Sequence, residues 1–496
     1  MLAVSLSPTV ILSIIFAYFA ILIGISIVTS KDSDNSTFFT ANKSSPWLLV
    51  AIGMIGASLS GVTLISIPGV VGAGGANQQF SYMQMVFGYM VGYFVIGTVL
   101  MPLYYKYNLT SIYGFLETRL GKVSYKTAAG FFLLSRLVGS SFRMYLVAIV
   151  MDQFVTGPMG VPFWLTVFIS IVLIWVYTYK GGIKTIVITD VFQTVSMITA
   201  LVLTIYGILS ALDIPLLQTY SAIADANLDK MWFFEEGWND PNNFFKQFIS
   251  GALIALVMTG LDQDMMQKNL TCKSLKDAQK NMLFFSIILI FANILFLTLG
   301  ALMYMYVAEM GITMPVKSDY LFPTLALQYL SPLVGVCFIV GITAANYASA
   351  DSALTSLTTS FCVDFLNIEK TIDTEENKKR LRTLVHIGFS LLIFFTIMLF
   401  AFINDDAVVN GVFKAAGYTY GPILGLFTFS ILTKRAVKDQ YVWIVCLAAP
   451  IMSYFIDSNS AAWFGGFKFG FMILALNGLL CLAGLLAISD SEKSTN

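Results

Sequence analysis

Charge is scarce in this sequence. Of 496 residues, 28 are Lys or Arg and 28 are Asp or Glu, 11% in all and about half the share usual in a soluble protein. A soluble enzyme of this length would need far more charge to cover its surface. Histidine occurs once, at His386, and the five cysteines include no Cys-x-x-Cys pair. The absence of a His/Cys constellation argues against a zinc or copper centre, and disulfides are not expected, since Cys337, Cys362, Cys446 and Cys481 fall in or beside apolar runs and Cys272 in a basic loop. Also missing are a His-Glu-x-x-His helix, a Gly-x-Ser-x-Gly nucleophile and a paired catalytic acid in a plausible setting, so the chain does not read as an enzyme. A net charge of zero leaves no electrostatic footprint for nucleic acid. The first apolar run lacks a basic leader and a small-residue cleavage site, so no cleavable signal is expected.

What the sequence has instead is apolar length: 57% of residues are hydrophobic, gathered in recurring runs. About 20 apolar residues cross the hydrocarbon core as a helix, because lipid offers no partner to an unpaired backbone group. Cutting at the polar clusters gives thirteen spans, at 8–29, 47–71, 80–104, 127–156, 160–179, 185–212, 244–265, 281–308, 333–360, 383–403, 408–432, 441–457 and 468–488. The expected class is an all-α integral membrane protein, multi-pass in the cell (inner) membrane. Placing the N-terminus outside and the C-terminus in the cytoplasm puts 21 of the 28 Lys and Arg in inner loops, among them Lys268, Lys273, Lys276 and Lys280. Another inner loop holds Lys370, Lys378, Lys379, Arg380 and Arg382, while only Lys230, Lys246, Lys317 and Lys468 fall outside. The long outer loop around Asp213 to Asp240 is acidic, with Asp225, Asp229, Glu235 and Glu236, as the positive-inside rule requires. Arg136, Arg143, Lys414, Asp190 and Asp351 remain within spans, where ionisable groups are costly and functional by default.

Two spans carry residues that fill a helix badly. The second has Gly56-Ala-Ser58-Leu59-Ser60-Gly61 at its middle, followed by Thr63 and Pro68-Gly69. That composition suits an unwound segment lining a cavity, or a small-residue face packed on a neighbouring helix. The seventh carries Gly251 and Gly260 and ends in Asp262, Gln263 and Asp264, which makes it the matching candidate five spans on. In the ninth span Ala345, Ser349, Ser352 and Ser356 share one helical stripe, with Asp351 beside it. Carboxylate, hydroxyl and carbonyl oxygens are the ligands a hard cation such as Na⁺ keeps. The other reading of Asp190 and Asp351 is a buried acid paired with Arg136, Arg143 or Lys414, and of the serines ordinary interhelical bonding. His386, near the start of the tenth span, reads as a structural interfacial residue.

The segment Val176-Tyr-Thr-Tyr-Lys-Gly-Gly-Ile-Lys-Thr-Ile-Val-Ile-Thr-Asp-Val-Phe-Gln193 resembles the signature of the solute:sodium symporter family. Ser349-Ala-Asp-Ser352 and the Leu59-Ser60 region with Ile67-Pro68-Gly69 resemble that family's ninth and broken second spans. The resemblance covers nearly the whole chain. It implies an amino-acid-transporter type core of two inverted five-helix repeats, 47–212 and 244–432. An extra N-terminal helix (1–30) precedes them, two helices (441–488) follow, and a cytoplasmic tail (489–496) ends the chain. Carried over by position, it implies a principal Na⁺ site at the carbonyls of Gly56 and Leu59 with Ala345, Ala348 and Ser349. Many members have a second hydroxyl residue where this chain has Ala348. Some members hold a second Na⁺ near the signature aspartate, here Asp190, whose ninth-span partners would be Asp351 and Ser352. Substrate would lie near Ser58, Ser60, Thr63 and Gln84, with Arg136 and Arg143 on one face of the fourth span. Sialic-acid-carrying members use an arginine on this helix for the substrate carboxylate, and the resemblance places Gly139 at that position, one turn from each arginine.

The implied function is Na⁺-coupled import of a small organic solute (sugar, acidic sugar such as sialic acid, amino acid or organic anion) by alternating access, with the bilayer as surroundings and a monomer as functional unit. The alternatives are a proton-coupled carrier of the same fold, using Asp190 or Asp351 as relay, and a solute sensor. The SDSEKSTN tail is too short for a signalling domain, so a sensor would act through a partner chain.

Overall fold

The computed structural model describes residues 6–29, 41–178, 182–235, 237–403 and 408–490. Tyr179, Lys180 and Gly181 of the signature, Glu236 of the acidic loop and most of the tail lie outside them. Among the described residues nine helices are long and apolar enough to cross a membrane, and three bent pairs bring the number to twelve if each pair is one span. In chain order the main helices are α1 (Pro8–Thr29), α2 (Trp47–Ser58), α3 (Gly61–Val70), α4 (Tyr82–Lys106), α5 (Lys122–Met151), α6 (Phe163–Thr178) and α7 (Gly182–Ala211). They continue with α8 (Phe244–Gly260), α9 (Gln263–Asn269), α10 (Leu275–Met310), α11 (Pro332–Ser360) and α12 (Glu375–Ile403). The last four are α13 (Val408–Thr419), α14 (Gly421–Leu432), α15 (Asp439–Trp463) and α16 (Gly470–Ala487). The expected fifth span, 160–179, corresponds to α6, which at 16 residues is short for a crossing.

Several helices outrun their apolar stretch. The tenth span, expected from 383, begins at Glu375, because Glu375 and Glu376 suit the positive helix N-terminus and the Lys and Arg that follow are good helix formers. Likewise α10 begins six residues before 281, at a cap where the Ser274 hydroxyl accepts the Asp277 amide at 3.2 Å, and it ends at Gly311 in the left-handed region. Hydropathy marks the lipid-facing length, whereas capping and propensity fix where a helix stops.

The breaks are held between well-packed pairs. The signature helix α7 lies against α11 and α2, and α4 lies against α8. The α4–α8 contact depends on glycine: a Cβ at Gly251 would collide with the Met85 carbonyl, and one at Gly88 with the Phe248 carbonyl. Backbone cannot yield as a side-chain tip can. Gly251→Val is therefore expected to cost about 3 kcal/mol or more and to lower the melting temperature of the detergent-solubilised protein; melting at the wild-type temperature would show that the helices have room. All five cysteines are free. Burial, then the Asp277 carboxylate, pushes the Cys272 thiol up to about 12, so it stays protonated and inert.

Candidate functional site

The second span is broken as its glycines and serines suggested. Between α2 and α3 the axis turns by 52°. Leu59 leaves helical geometry at ψ 76° and Ser60 is extended at ψ 179°. In an unbroken helix the Ser60 amide would donate to the Gly56 carbonyl, but here it donates to Ser58 O at 3.1 Å. Among the described residues no donor is recorded to the carbonyls of Gly56 or Leu59. Ser60 stands at the N-cap of α3, yet its hydroxyl makes no capping bond, so both the hydroxyl and the positive end of α3 are left for another partner. Behind the break, a Cβ at Gly53 would lie 3.1 Å from Asp190 Cβ, and Thr194 Oγ1 donates to Ile52 O at 2.9 Å. The signature helix thus backs directly onto the broken one.

The seventh span is broken too, with a turn of 66° between α8 and α9. Here the protein satisfies its own loose ends. Tyr104 donates to Gly260 O at 2.8 Å and Tyr113 to Leu261 O at 3.0 Å, while the Asp262 carboxylate caps α9 by accepting the amides of Asp264 (2.8 Å) and Met265 (3.3 Å). The short helix is tied down by charge. Asp264 pairs with Arg136 of α5 and accepts from Ser352 of α11. Asp262 lies 3.9 Å from Arg136 and accepts from Tyr420, the residue at the 47° bend between α13 and α14. One turn beyond Asp264, Lys268 Nζ donates to Asp190 Oδ2 at 2.6 Å. Every one of these charged side chains is buried.

Between the two breaks lies a cavity of about 90 Å³. Ser58, Ser60 and Thr63 line it from the first break, and Arg136 and Arg143 from α5. Tyr82, Tyr89 and Tyr93 form one wall, with the Tyr82 and Tyr89 hydroxyls 2.9 Å apart and the Tyr82 ring stacked on Phe413. Phe413 packs edge-on against Phe471, which belongs to a separate vestibule of about 590 Å³. The two arginines differ in an instructive way. Arg136 is neutralised by Asp264, whereas Arg143, partly buried, has no ion pair or hydrogen bond among the described residues.

Residues 38–443 match the model of the sodium:solute symporter family. The chain belongs to that family. It is similar to the sodium/sialic acid symporter SiaT of Proteus mirabilis, at 25% identity over 98% of each chain, and to the sodium/sialic acid symporter NanT of Aliivibrio fischeri, at 23% over 88% of this chain and 86% of that one. Among solved structures it resembles a substrate-bound, outward-open Na⁺-coupled sialic acid symporter with a TM-score of 0.81, at 19% identity and 96% and 97% coverage. It also resembles Mhp1, a nucleobase-cation-symport-1 transporter, with a TM-score of 0.51 at 14% identity and 92% and 95% coverage. These likenesses show the fold, and the family makes the protein a sodium-coupled solute symporter, not an enzyme. Sodium is then a co-substrate and not a resident cofactor.

In this symporter the residues expected at the principal Na⁺ site, Gly56, Leu59, Ala345, Ala348 and Ser349, are all buried on elements that pack together, α2 with its break and α11. Ser349 Oγ donates to Asn346 O at 3.1 Å, which leaves its lone pairs open. Of those expected around a second Na⁺, Asp190 is held by Lys268, Ser352 bonds to Asp264, and Asp351 accepts the Ser352 amide at 2.5 Å. Gln84 does not line the cavity. It holds an outer loop, donating to Asn242 O (2.7 Å) and accepting the Phe233 amide (3.1 Å). Lys414 stands in the vestibule with Lys246, Lys468 and Asp457, away from the central charges. His386 is buried and not interfacial: its ring bridges Thr178 (3.1 Å) and Thr358 (2.9 Å) across three helices.

The largest correction concerns Lys268. Hydropathy ends the span at 265, which places Lys268 in a basic inner loop and leaves Arg136, Arg143 or Lys414 as the expected partner of Asp190. The chain instead continues as a buried half-helix to Asn269. One signal was available: a broken span needs a second half beyond Gly260, and Asp264 and Lys268 sit one turn apart on it.

Proposed function

We propose that the protein imports a carboxylate-bearing solute with Na⁺, and that Arg143 receives the carboxylate. The guanidinium in the cavity, partly buried and without an ion pair or hydrogen bond among the described residues, carries this reading, since a cation drawn away from water is stabilised where an anion completes it. The positive end of α3, with the uncommitted Ser60 hydroxyl, faces the same space and supports it. So do the sialic acid symporters, whose cargo is a carboxylate sugar. The Na⁺ ligands in this reading are the carbonyls of Gly56 and Leu59, with Ala345, Ala348 and Ser349. Na⁺ there fixes the geometry of the break, and so raises affinity for a solute bound beside it; the coupling is reciprocal.

The same reading takes α6 as a thirteenth span, with the N-terminus outside, the C-terminus in the cytoplasm, and the two breaks opening the inverted repeats 47–212 and 244–432. Taking Lys268 out of the inner loops does not reverse the charge bias. Inside the cell, low Na⁺ and the membrane potential, about 2.3 kcal/mol per charge per 100 mV, favour release.

The test is a thermal-shift screen of carboxylates and neutral sugars with and without Na⁺, followed by uptake in vesicles. A carboxylate is expected to stabilise the protein in Na⁺ and not in choline. Ser349→Ala, which removes one oxygen ligand, is expected to raise the Na⁺ concentration for half-maximal uptake about tenfold, the equivalent of about 1.4 kcal/mol. Uptake indifferent to choline, or stabilisation by neutral sugars alone, overturns the reading.

A further inference from the structure

The signature aspartate lies where some members of the family hold a second sodium ion. In this chain Asp190 Oδ2 already accepts from the Lys268 ammonium at 2.6 Å, with Asp190 fully buried and Lys268 1% exposed. We propose that Lys268 is a tethered cation filling the second cation position, so that this symporter binds one Na⁺ per cycle and not two.

Three observations carry the proposal. First, an ammonium and Na⁺ bear the same charge and seek the same oxygens, and two of them on one buried carboxylate would repel strongly in the low-dielectric interior. Second, the cation in contact with Asp190 is the ammonium, while Ser352 turns its hydroxyl proton to Asp264 and Asp351 takes the Ser352 amide. Third, the lysine is not free to swing away, because its half-helix is fixed one turn earlier by the Asp264–Arg136 pair. Asp190 Oδ1 and the side-chain amide of Gln193, one turn along α7, have no protein partner among the described residues. With the ammonium removed, Asp190 Oδ1, the vacated Oδ2 and the Gln193 amide oxygen offer oxygen ligands to an incoming Na⁺.

A consequence separates this site from an ordinary sodium site. The tethered charge travels with α9 and is never released, so it contributes to the rearrangement but not to the transported charge.

The inference rests on the sodium-coupled reading of the Gly56–Ser349 site, and counting bound ions keeps the two apart without any solute. Equilibrium binding of radiosodium to the purified, full-length protein is expected to give one Na⁺ per chain in the wild type and two in Lys268→Ala. Where the alanine variant does not fold, Lys268→Gln keeps the volume and a hydrogen bond to Asp190, and is expected to bind the second ion at higher Na⁺. Two ions in the wild type overturn the tethered cation, as does a variant that stays at one. No bound ion in the wild type overturns the principal sodium site instead.

Discussion

With Arg143→Gln, the solute concentration for half-maximal uptake is expected to rise roughly 30- to 1000-fold. Losing the charged partner of a partly desolvated carboxylate costs about 2–4 kcal/mol, and each 1.4 kcal/mol is a factor of ten in affinity. The magnitude is large because, among the described residues, Arg143 shares the work with no other free cation at the cavity: Arg136, about two turns away on the same helix, is committed to Asp264. Arg143→Lys is expected to recover only part of the loss, since a point charge does not reproduce the planar two-pronged contact of a guanidinium. Sodium-only stabilisation is expected to survive both changes, because Arg143 is not among the sodium ligands. Wild-type half-saturation in Arg143→Gln, or loss of the sodium response with it, removes Arg143 from the solute site.

Asp264→Ala is the change expected to damage the fold most. It strips Arg136 of its nearer counter-ion where that side chain is 5% exposed, leaving Asp262 at 3.9 Å, and leaves the Ser352 hydroxyl without its acceptor. Removing one member of a buried pair costs about 3–5 kcal/mol, whereas replacing both by apolar groups of similar volume is often neutral. Arg136→Met combined with Asp264→Leu is therefore expected to melt close to the wild type, with Asp262 still held by Tyr420 and two amides. Melting of the purified variants in detergent decides the matter: a single Asp264→Ala variant as stable as wild type would mean that the pair does not hold α9. Transport is expected to fail in the double variant despite its stability, because Arg136 also lines the cavity.

These two predictions concern neighbours whose roles the sequence did not distinguish. Arg136 and Arg143 lie on one face of one helix and differ only in what that face meets. The first break, by contrast, was legible, because Gly56, Ser58, Ser60 and Gly61 are poor helix interior at a depth where lipid punishes unpaired backbone. The second break was legible as a place and not as a structure. Its Gly260 was visible, but a window of hydropathy reads Asp262 to Lys268 as a water-exposed stretch, since it scores each charge as though alone. His386 was misplaced at the interface for the same reason: two threonines satisfy its ring in the interior, and neither is near it in sequence.

By itself the sequence determined that this protein is a bundle of membrane-crossing helices, where the second of them breaks, and which family signature it carries, since these follow from local composition and the hydrogen-bonding demands of lipid. Only the tertiary structure decided which charges cancel. Asp190 meets Lys268 across 78 positions and Asp264 meets Arg136 across 128, and no local pattern encodes such partners. In a medium that cannot hydrate them, buried charges are matched by packing, and Arg143, partly buried and without an ion pair among the described residues, faces the solute cavity.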